Sequence, residues 1–268
     1  IFGTDIGVGG GMVVSGNARI TNNVIEYNTI QSQSDAAVGG GINCANDNVF
    51  LTLTRKISHN IIRHNKALAP NSNQYDGGMG GGIFISGRSA EISYNTITHN
   101  EIQGSASTRS YGAGVMLHDQ DATSTIKNNI ISHNRCLNTP SRGAGVTIWS
   151  FNFPCNPRLL NNIITYNQAG IGANTVGGGI YIGGHQPNLP HLENNTIAYN
   201  AASWAGSAIF SDSILAASHT TVVNTILWGN TSSHGSQIFL NGGTINVSYS
   251  DIQGGYPGAG NIDADPLF

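Results

Sequence analysis

A short set of titratable and aromatic residues recurs at similar offsets along this sequence, each just after a glycine-rich segment. They are Arg88, then His118, Asp119 and Asp121, then Trp149, then His185, then Asp212. Just before the glycine segments stand Asp76, Arg109, Tyr111, Arg142 and Trp204. If each segment is one turn of a repeat, these residues share one face. Removing the proton beside a uronate carboxylate needs a cation to neutralise that carboxylate and a base to take the proton. Asp119, Asp121 and Asp212 are the calcium-ligating candidates, since calcium takes carboxylate oxygens. Arg88 and Arg142 are candidates for base or clamp, and His185 is a further titratable candidate. The competing expectation is that these are ordinary solvated loop residues.

A second series suggests binding rather than chemistry. One position inside the glycine segment reads Val13, Asn43, Phe84, Met116, Thr147, Tyr181, Phe210 and Phe239. In an alternating strand this position points away from the core, yet five of these residues are large and apolar. Something must therefore cover them: flanking loops, a glycan stacked on the rings, or a protein partner. The ligand-binding candidates are Phe84, Met116, Trp149, Tyr181, Phe210 and Phe239.

These residues depend on a repeat for their placement. The segment Gly-Gly-Gly-apolar-x-apolar runs Gly9 to Val14, Gly39 to Cys44, Gly80 to Ile85 and Gly177 to Ile182. Gly112 to Leu117 and Gly143 to Ile148 carry alanine in the middle, and Gly206 to Ser211 and Gly235 to Leu240 are degenerate. The period is about 30 residues, stretched once by an insert around Asn71 to Tyr75. Two further segments follow each copy. One is apolar-x-polar-Asn, as in Ile92 to Asn95. The other is Ile-x-(aromatic or His)-Asn, as in Ile97 to Asn100. A period of two within each stretch means strand.

The expected fold is therefore all-β: a right-handed parallel β-helix of about eight coils with three strands per coil, forming one domain over 1–268. Inward rows read Met12, Ile42, Ile83, Val115, Val146, Ile180, Ile209 and Ile238; then Ile20, Ile57, Ile92, Ile126, Leu159 and Leu192; then Ile25, Ile62, Ile97, Ile131, Ile164, Ile197 and Ile226. Asn28, Asn65, Asn100, Asn134, Asn167 and Asn200 read as a structural ladder, with asparagine also supplying the left-handed corner. The residues before them, Tyr27, His64, His99, His133, Tyr166 and Tyr199, with Trp228 next, read as a stack of rings rather than a metal site.

Composition narrows the function classes. Only 9% of residues are charged, against roughly 25% in an average soluble domain. The 32 asparagines supply neutral polarity that can stack without repulsion. Eleven Lys and Arg with a net charge of -3 give no basic stripe for nucleic acid. No apolar run is long enough for direct membrane insertion by a helix. Cys44 reads as a buried inward residue. Cys136 and Cys155 read as loop residues whose pairing the spacing leaves open.

The motifs Gly-Gly-(Ala/Gly)-Ile and (Phe/Ile)-x-x-Asn resemble the repeats of polymorphic outer-membrane proteins and, more broadly, those of the pectin-lyase-like superfamily. The stretches Asn224 to Asn230, Tyr249 to Gly254 and Asn261 to Phe268 resemble the last coils of large secreted bacterial β-helix proteins. The resemblance implies secretion, an extracellular or cell-surface location in a bacterium, and adjoining domains or chains at the coil ends of a longer protein. It implies little about activity, because the superfamily includes lyases, hydrolases, epimerases, adhesins and passive stalks. None of the lyase, polygalacturonase or epimerase signatures is present. Three expectations stand: a non-catalytic module that binds a polysaccharide or partner surface; a polysaccharide lyase or glycoside hydrolase with its cleft on the same face; and a passive stalk. No cofactor is expected, with calcium at Asp119, Asp121 and Asp212 the one candidate.

Overall fold

A computed structural model describes residues 2–3, 6–45, 54–72, 76–87, 89–120, 124–137, 140–170, 174–212, 218–235 and 237–268. The chain winds into a solenoid of short, strictly parallel strands. Among the described residues three sheets have eight strands each, a fourth has seven and a fifth has five. They are numbered here in the order one coil visits them, starting at the glycine segment.

The first sheet holds the glycine strands, such as Ile83–Gly87, Val115–Gln120, Val146–Ser150, Ile180–Gly184 and Ile209–Asp212. The second holds strands such as Ala90–Ser93, and the third strands such as Thr96–Thr98. These three enclose one continuous core of isoleucine, leucine and valine. The inward rows lie as the alternation requires, in register from coil to coil: Ile83 pairs with Val115, Ile92 with Ile126 and Ile97 with Ile131. One inward assignment is corrected. Leu227, not Ile226, pairs with Ile197 and is buried. It stands three residues before Asn230, as Ile197 stands before Asn200.

Three strands per coil is also an undercount. A fourth sheet (Glu101–Gln103 and its equivalents) and a fifth (Arg109–Tyr111, Ser141–Arg142) complete the middle coils. Between them lies a small second core of Ile30, Ala67, Ile102, Cys136 and Ala169, joined by Ala113 and Ala144. Cys136 is thus a strand residue, and Cys44, Cys136 and Cys155 are all buried. Burial pushes the Cys136 thiol up to about 12.

Two asparagine ladders stitch the coils together. Asn100 Nδ2 donates to Asn134 Oδ1 at 3.0 Å and to Ile62 O at 3.0 Å. Its Oδ1 accepts from both the backbone N–H and the Nδ2 of Asn65, at 3.1 and 3.0 Å. Every donor and acceptor of that side-chain amide is used. The same pattern repeats from Asn28 to Asn230 at one corner and from Asn23 to Asn195 at the other. The left-handed residue, however, is the one before each ladder asparagine. Tyr27, His64, His99, His133, Tyr166 and Tyr199 have φ of 54 to 56°. At the other corner Asn22, His59, Tyr94, Asn128, Asn161 and Asn194 take that role. A left-handed corner points its side chain out of the solenoid, so rings from successive coils overlap. Trp228 is not part of the stack. It pairs with Ala198, and Gly229 (φ 63°) occupies the ring position.

At the far end the chain folds back over the last coil. Asn261 Oδ1 accepts from Ser250 N at 3.1 Å, and Tyr256 packs against the main core.

Candidate functional site

The fifth sheet meets the first at a bend. The leading glycine of each repeat makes it: Gly80, Gly112, Gly143, Gly177 and Gly206 have φ of 61 to 70°. That conformation strains any residue with a Cβ. The two sheets therefore form an L in cross-section, with a groove running along the solenoid axis inside the angle. The first sheet contributes Phe84, Met116, Thr147, Tyr181, Phe210 and Phe239 to its floor, and two residues further along each strand Ser86, His118, Trp149, Gly183 and Asp212. The fifth sheet contributes Met79, Tyr111, Arg142, Val176 and Ala205.

The apolar row is thus covered by the fifth sheet rather than open. Phe84, Met116, Tyr181 and Phe210 are 6%, 1%, 0% and 2% exposed. Phe84 and Met116 pack with Val38 and Tyr111. Tyr181 and Phe210 pack with Val176 and Ala205, and Trp204 and Phe239 lean on them from the rim. The rings form one continuous run: Tyr111 lies 5.2 Å from Trp149, Trp149 6.1 Å from Tyr181, Tyr181 5.9 Å from Phe210, and Phe210 5.5 Å from Phe239.

One polar network crosses this apolar floor. Tyr181 Oη donates to Asp212 Oδ2 at 2.8 Å and accepts from Arg142 Nη1 at 2.7 Å. Arg142 Nη1 also lies 3.3 Å from Asp212 Oδ2, and Asn241 Nδ2 donates to Asp212 Oδ1 at 3.1 Å. The guanidinium carbon sits 5.2, 5.7 and 6.0 Å from the ring centres of Tyr181, Trp149 and Tyr111. Those rings add cation–π attraction. Burial works against the Arg142 charge, but Tyr181, Tyr111 and Asp212 together raise its pKa. Burial raises the Tyr181 phenol well above its ordinary range and the Tyr111 phenol to about 12. Both phenols thus keep their protons at neutral pH. Gly183 makes the network possible, since a Cβ there would sit 2.5 Å from the Tyr181 hydroxyl.

Beside this network a cleft of about 300 Å³ opens to solvent. Its lining includes Arg109, Arg142, Trp204, Phe210, Asp212 and Asn241. Further toward the start of the chain the groove holds Asp76 and His118. Burial raises the Asp76 carboxyl, partly offset by His118 and Arg109. Burial lowers the His118 imidazole, partly offset by Asp119 and Asp76. Ser86 Oγ lies 3.3 Å from His118 Nδ1.

The other candidates from the sequence lie apart from the cleft. Asp119 sits at a register shift in its strand with φ 47°. Its carboxylate turns to the next coil, where it accepts from the backbone N–H of Phe151 and of Asn152 and from Asn152 Nδ2. It clamps that loop, three coils from Asp212, which at about 4.8 Å per coil is too far to share an ion. His185 is exposed at the outer rim, 4.8 Å from Phe151 and 6.0 Å from Trp149. Arg88 and Asp121 lie outside the described residues. Among the described residues no three His, Cys, Asp or Glu side chains gather in a metal-binding set.

Reading the sequence did not join Arg142 to Asp212. The signal was the pairing register, which sets Gly183 beside Asp212 in a rank whose other members carry side chains.

Strand order, parallel register and repeat make the molecule a parallel β-solenoid with a grooved flank. The chain belongs to the right-handed β-helix family: the family described as "Right handed beta helix region" matches residues 54–197, just over half of the chain. Neither the curated proteins nor the solved structures returned a match.

Proposed function

We propose that this chain is an extracellular or cell-surface bacterial β-helix module that binds a polysaccharide in the cleft between its first and fifth sheets. The cleft carries the reading. Its lining combines an indole ring, Trp204, with the polar Arg142–Asp212–Asn241 set. A sugar unit presents an apolar ring face and a hydroxylated edge, which suits that combination. Asp212 accepts hydrogen bonds from Tyr181 and Asn241, pairs with Arg142, and has acceptor capacity for another group. At about 300 Å³ the cleft is at the small end of ligand pockets, so it suits a short stretch of chain. Phe210 lines the cleft and Tyr181 supports it through Arg142 and Asp212, whereas Phe84 and Met116 lie in a separate buried cluster. Nucleic acid is not part of the reading, because eleven Lys and Arg are scattered over the whole chain. Calcium has no part in it, since Asp119 and Asp212 are separately engaged.

The test is a polysaccharide panel read both for retention of the protein and for release of product. Trp204→Ala should weaken retention about tenfold or more, by analogy with aromatic stacking elsewhere. Equal retention of the variant refutes the cleft. Retention on no polysaccharide favours the passive stalk, with the buried row serving only stability.

A second reading, a polysaccharide lyase or glycoside hydrolase, has one observation in its favour. Asp76, with its raised carboxyl pKa, shares the groove with His118, and such pairs do acid–base work. Product release by the natural chain, abolished in Asp76→Asn with binding intact, would establish it.

A further inference from the structure

The corner between the third and fourth sheets carries a different feature, whose hollow shares no lining residue with the cleft. Six rings stack along it, Tyr27–His64–His99–His133–Tyr166–Tyr199, at 4.8, 5.1, 4.9, 5.1 and 5.1 Å. Its middle three members are histidines on successive coils. Tyr27 and Tyr166 are 69% and 52% exposed, so the ridge faces solvent. Against the histidines lies a hollow of about 330 Å³ whose charged rim is Lys66, Glu101 and Arg135.

The charges around the ridge are few and can be taken together. On the third-sheet side Arg63 pairs with Glu26 at 2.6 Å. On the fourth-sheet side Lys66 pairs with Glu101 at 2.7 Å, and Arg135 joins no ion pair among the described residues. Three cations against two anions leave one net positive charge while the imidazoles are neutral. Three imidazolium ions would raise that to four, in a line one coil apart. The stack resists such charging. Burial, then the neighbouring His133 and His64, hold the His99 pKa below its ordinary value. An anion lying along the ridge would remove that resistance.

We propose that this ridge is an acid-gated binding site for a linear polyanion, a polysaccharide carrying sulfate or carboxylate groups along its length. A row of cations at about 5 Å intervals matches a ligand with charges distributed along a chain, better than it matches a single small anion. Spacing excludes the alternative of one transition metal held by the three rings. A metal with bonds of about 2.0–2.1 Å needs its nitrogens to converge, whereas stacked rings run parallel. Proton uptake and polyanion binding then strengthen each other, and salt weakens both. The site does not rest on the cleft reading.

The test uses dextran sulfate, whose charge is constant across the pH range, with neutral dextran as control. Between about pH 7.5 and pH 5 the natural chain should bind dextran sulfate at least about tenfold more tightly, taking up protons as it does so. The variant His64→Asn/His99→Asn/His133→Asn should lose that pH dependence. Asparagine is a safe replacement, because Asn22, Asn128 and Asn161 already hold the same left-handed position at the other corner. Equal affinity at both pH values, equal binding of neutral dextran, or full pH dependence in the triple variant overturns the proposal. Should the triple variant not fold, the histidine titrations of the natural chain decide, followed by NMR with and without dextran sulfate. Midpoints that rise on adding it support the site, and unmoved midpoints overturn it.

Discussion

Replacing Asn100 by alanine tests the ladder that holds the coils in register. The Asn100 side chain is completely buried and makes four hydrogen bonds, to Asn134 Oδ1, Ile62 O, Asn65 N and Asn65 Nδ2. At about 1 kcal/mol net for each bond, the loss is about 4 kcal/mol. Relaxation could recover part of it, but the substitution removes the acceptor of the buried backbone N–H of Asn65, and an orphaned donor costs about 1–3 kcal/mol by itself. The expected destabilisation is therefore about 3–4 kcal/mol, which is large for a single substitution. Asn246→Ala is the control. Asn246 is exposed, and its side chain makes an exposed hydrogen bond to His219 at 3.3 Å; its loss should stay within about 0.5 kcal/mol. Urea unfolding followed by circular dichroism measures both. Asn100→Ala and Asn134→Ala should also combine less than additively, because they share a bond. A cost below about 1 kcal/mol for Asn100→Ala, or equal costs for Asn100 and Asn246, would refute the ladder's role.

Three other outcomes follow from the geometry. Tyr181→Phe keeps the ring but removes the hydroxyl between Arg142 and Asp212, so it should cost about 1.5–3 kcal/mol in the same unfolding assay; no loss would mean that the network is dispensable. Gly183→Ala puts a Cβ 2.5 Å from that hydroxyl, so it should displace the ring, destabilise the fold and abolish polysaccharide retention together; retention at the natural level would contradict the network's place beneath the cleft. The pH dependence of stability follows from His99. Its folded pKa lies below 6.5, through burial and its histidine neighbours, so below pH 6.5 the unfolded chain takes up a proton first. This contribution to stability is fully present above 6.5 and is lost as pH falls to the folded value. His118, also lowered, acts in the same direction. Thermal midpoints should therefore fall on acidification from about pH 7 to pH 5, and His99→Asn should flatten the decline. A midpoint that rises over that range would contradict the sign.

The legible parts of the fold were those where side-chain contrast is strong. Isoleucine alternating with polar residues marked three strands per coil, and the inward rows followed directly. The fourth and fifth strands were missed for a physical reason. Many of their inward positions hold alanine, Ala37, Ala67, Ala169 and Ala202, interrupting Ile30, Ile102 and Cys136, so strands of only two to four residues give no periodic signal from coil to coil. Asparagine marked the corners, but the backbone needs the left-handed conformation one residue earlier. The doubled asparagines Asn128-Asn129, Asn161-Asn162 and Asn194-Asn195 carry that information, since both members of each pair are structural. In the groove, the apolar outward row correctly implied a cover. The nature of the cover was hidden because it is made by the unrecognised fifth strand. The pairing of Arg142 with Asp212 was hidden for a related reason. They are joined only when Tyr181 reaches across Gly183, and a repeat read one strand at a time does not show contacts between strands.

The measurement that bears most directly on the account is to locate the polysaccharide on the protein. Hydrogen exchange on the natural chain, with and without a retained polysaccharide at neutral pH, reports this. The account predicts protection concentrated at Arg109–Tyr111, Ser141–Arg142, Trp204 and Ile209–Asp212, the segments that line the cleft. Protection that spares these segments and falls on another face would contradict it.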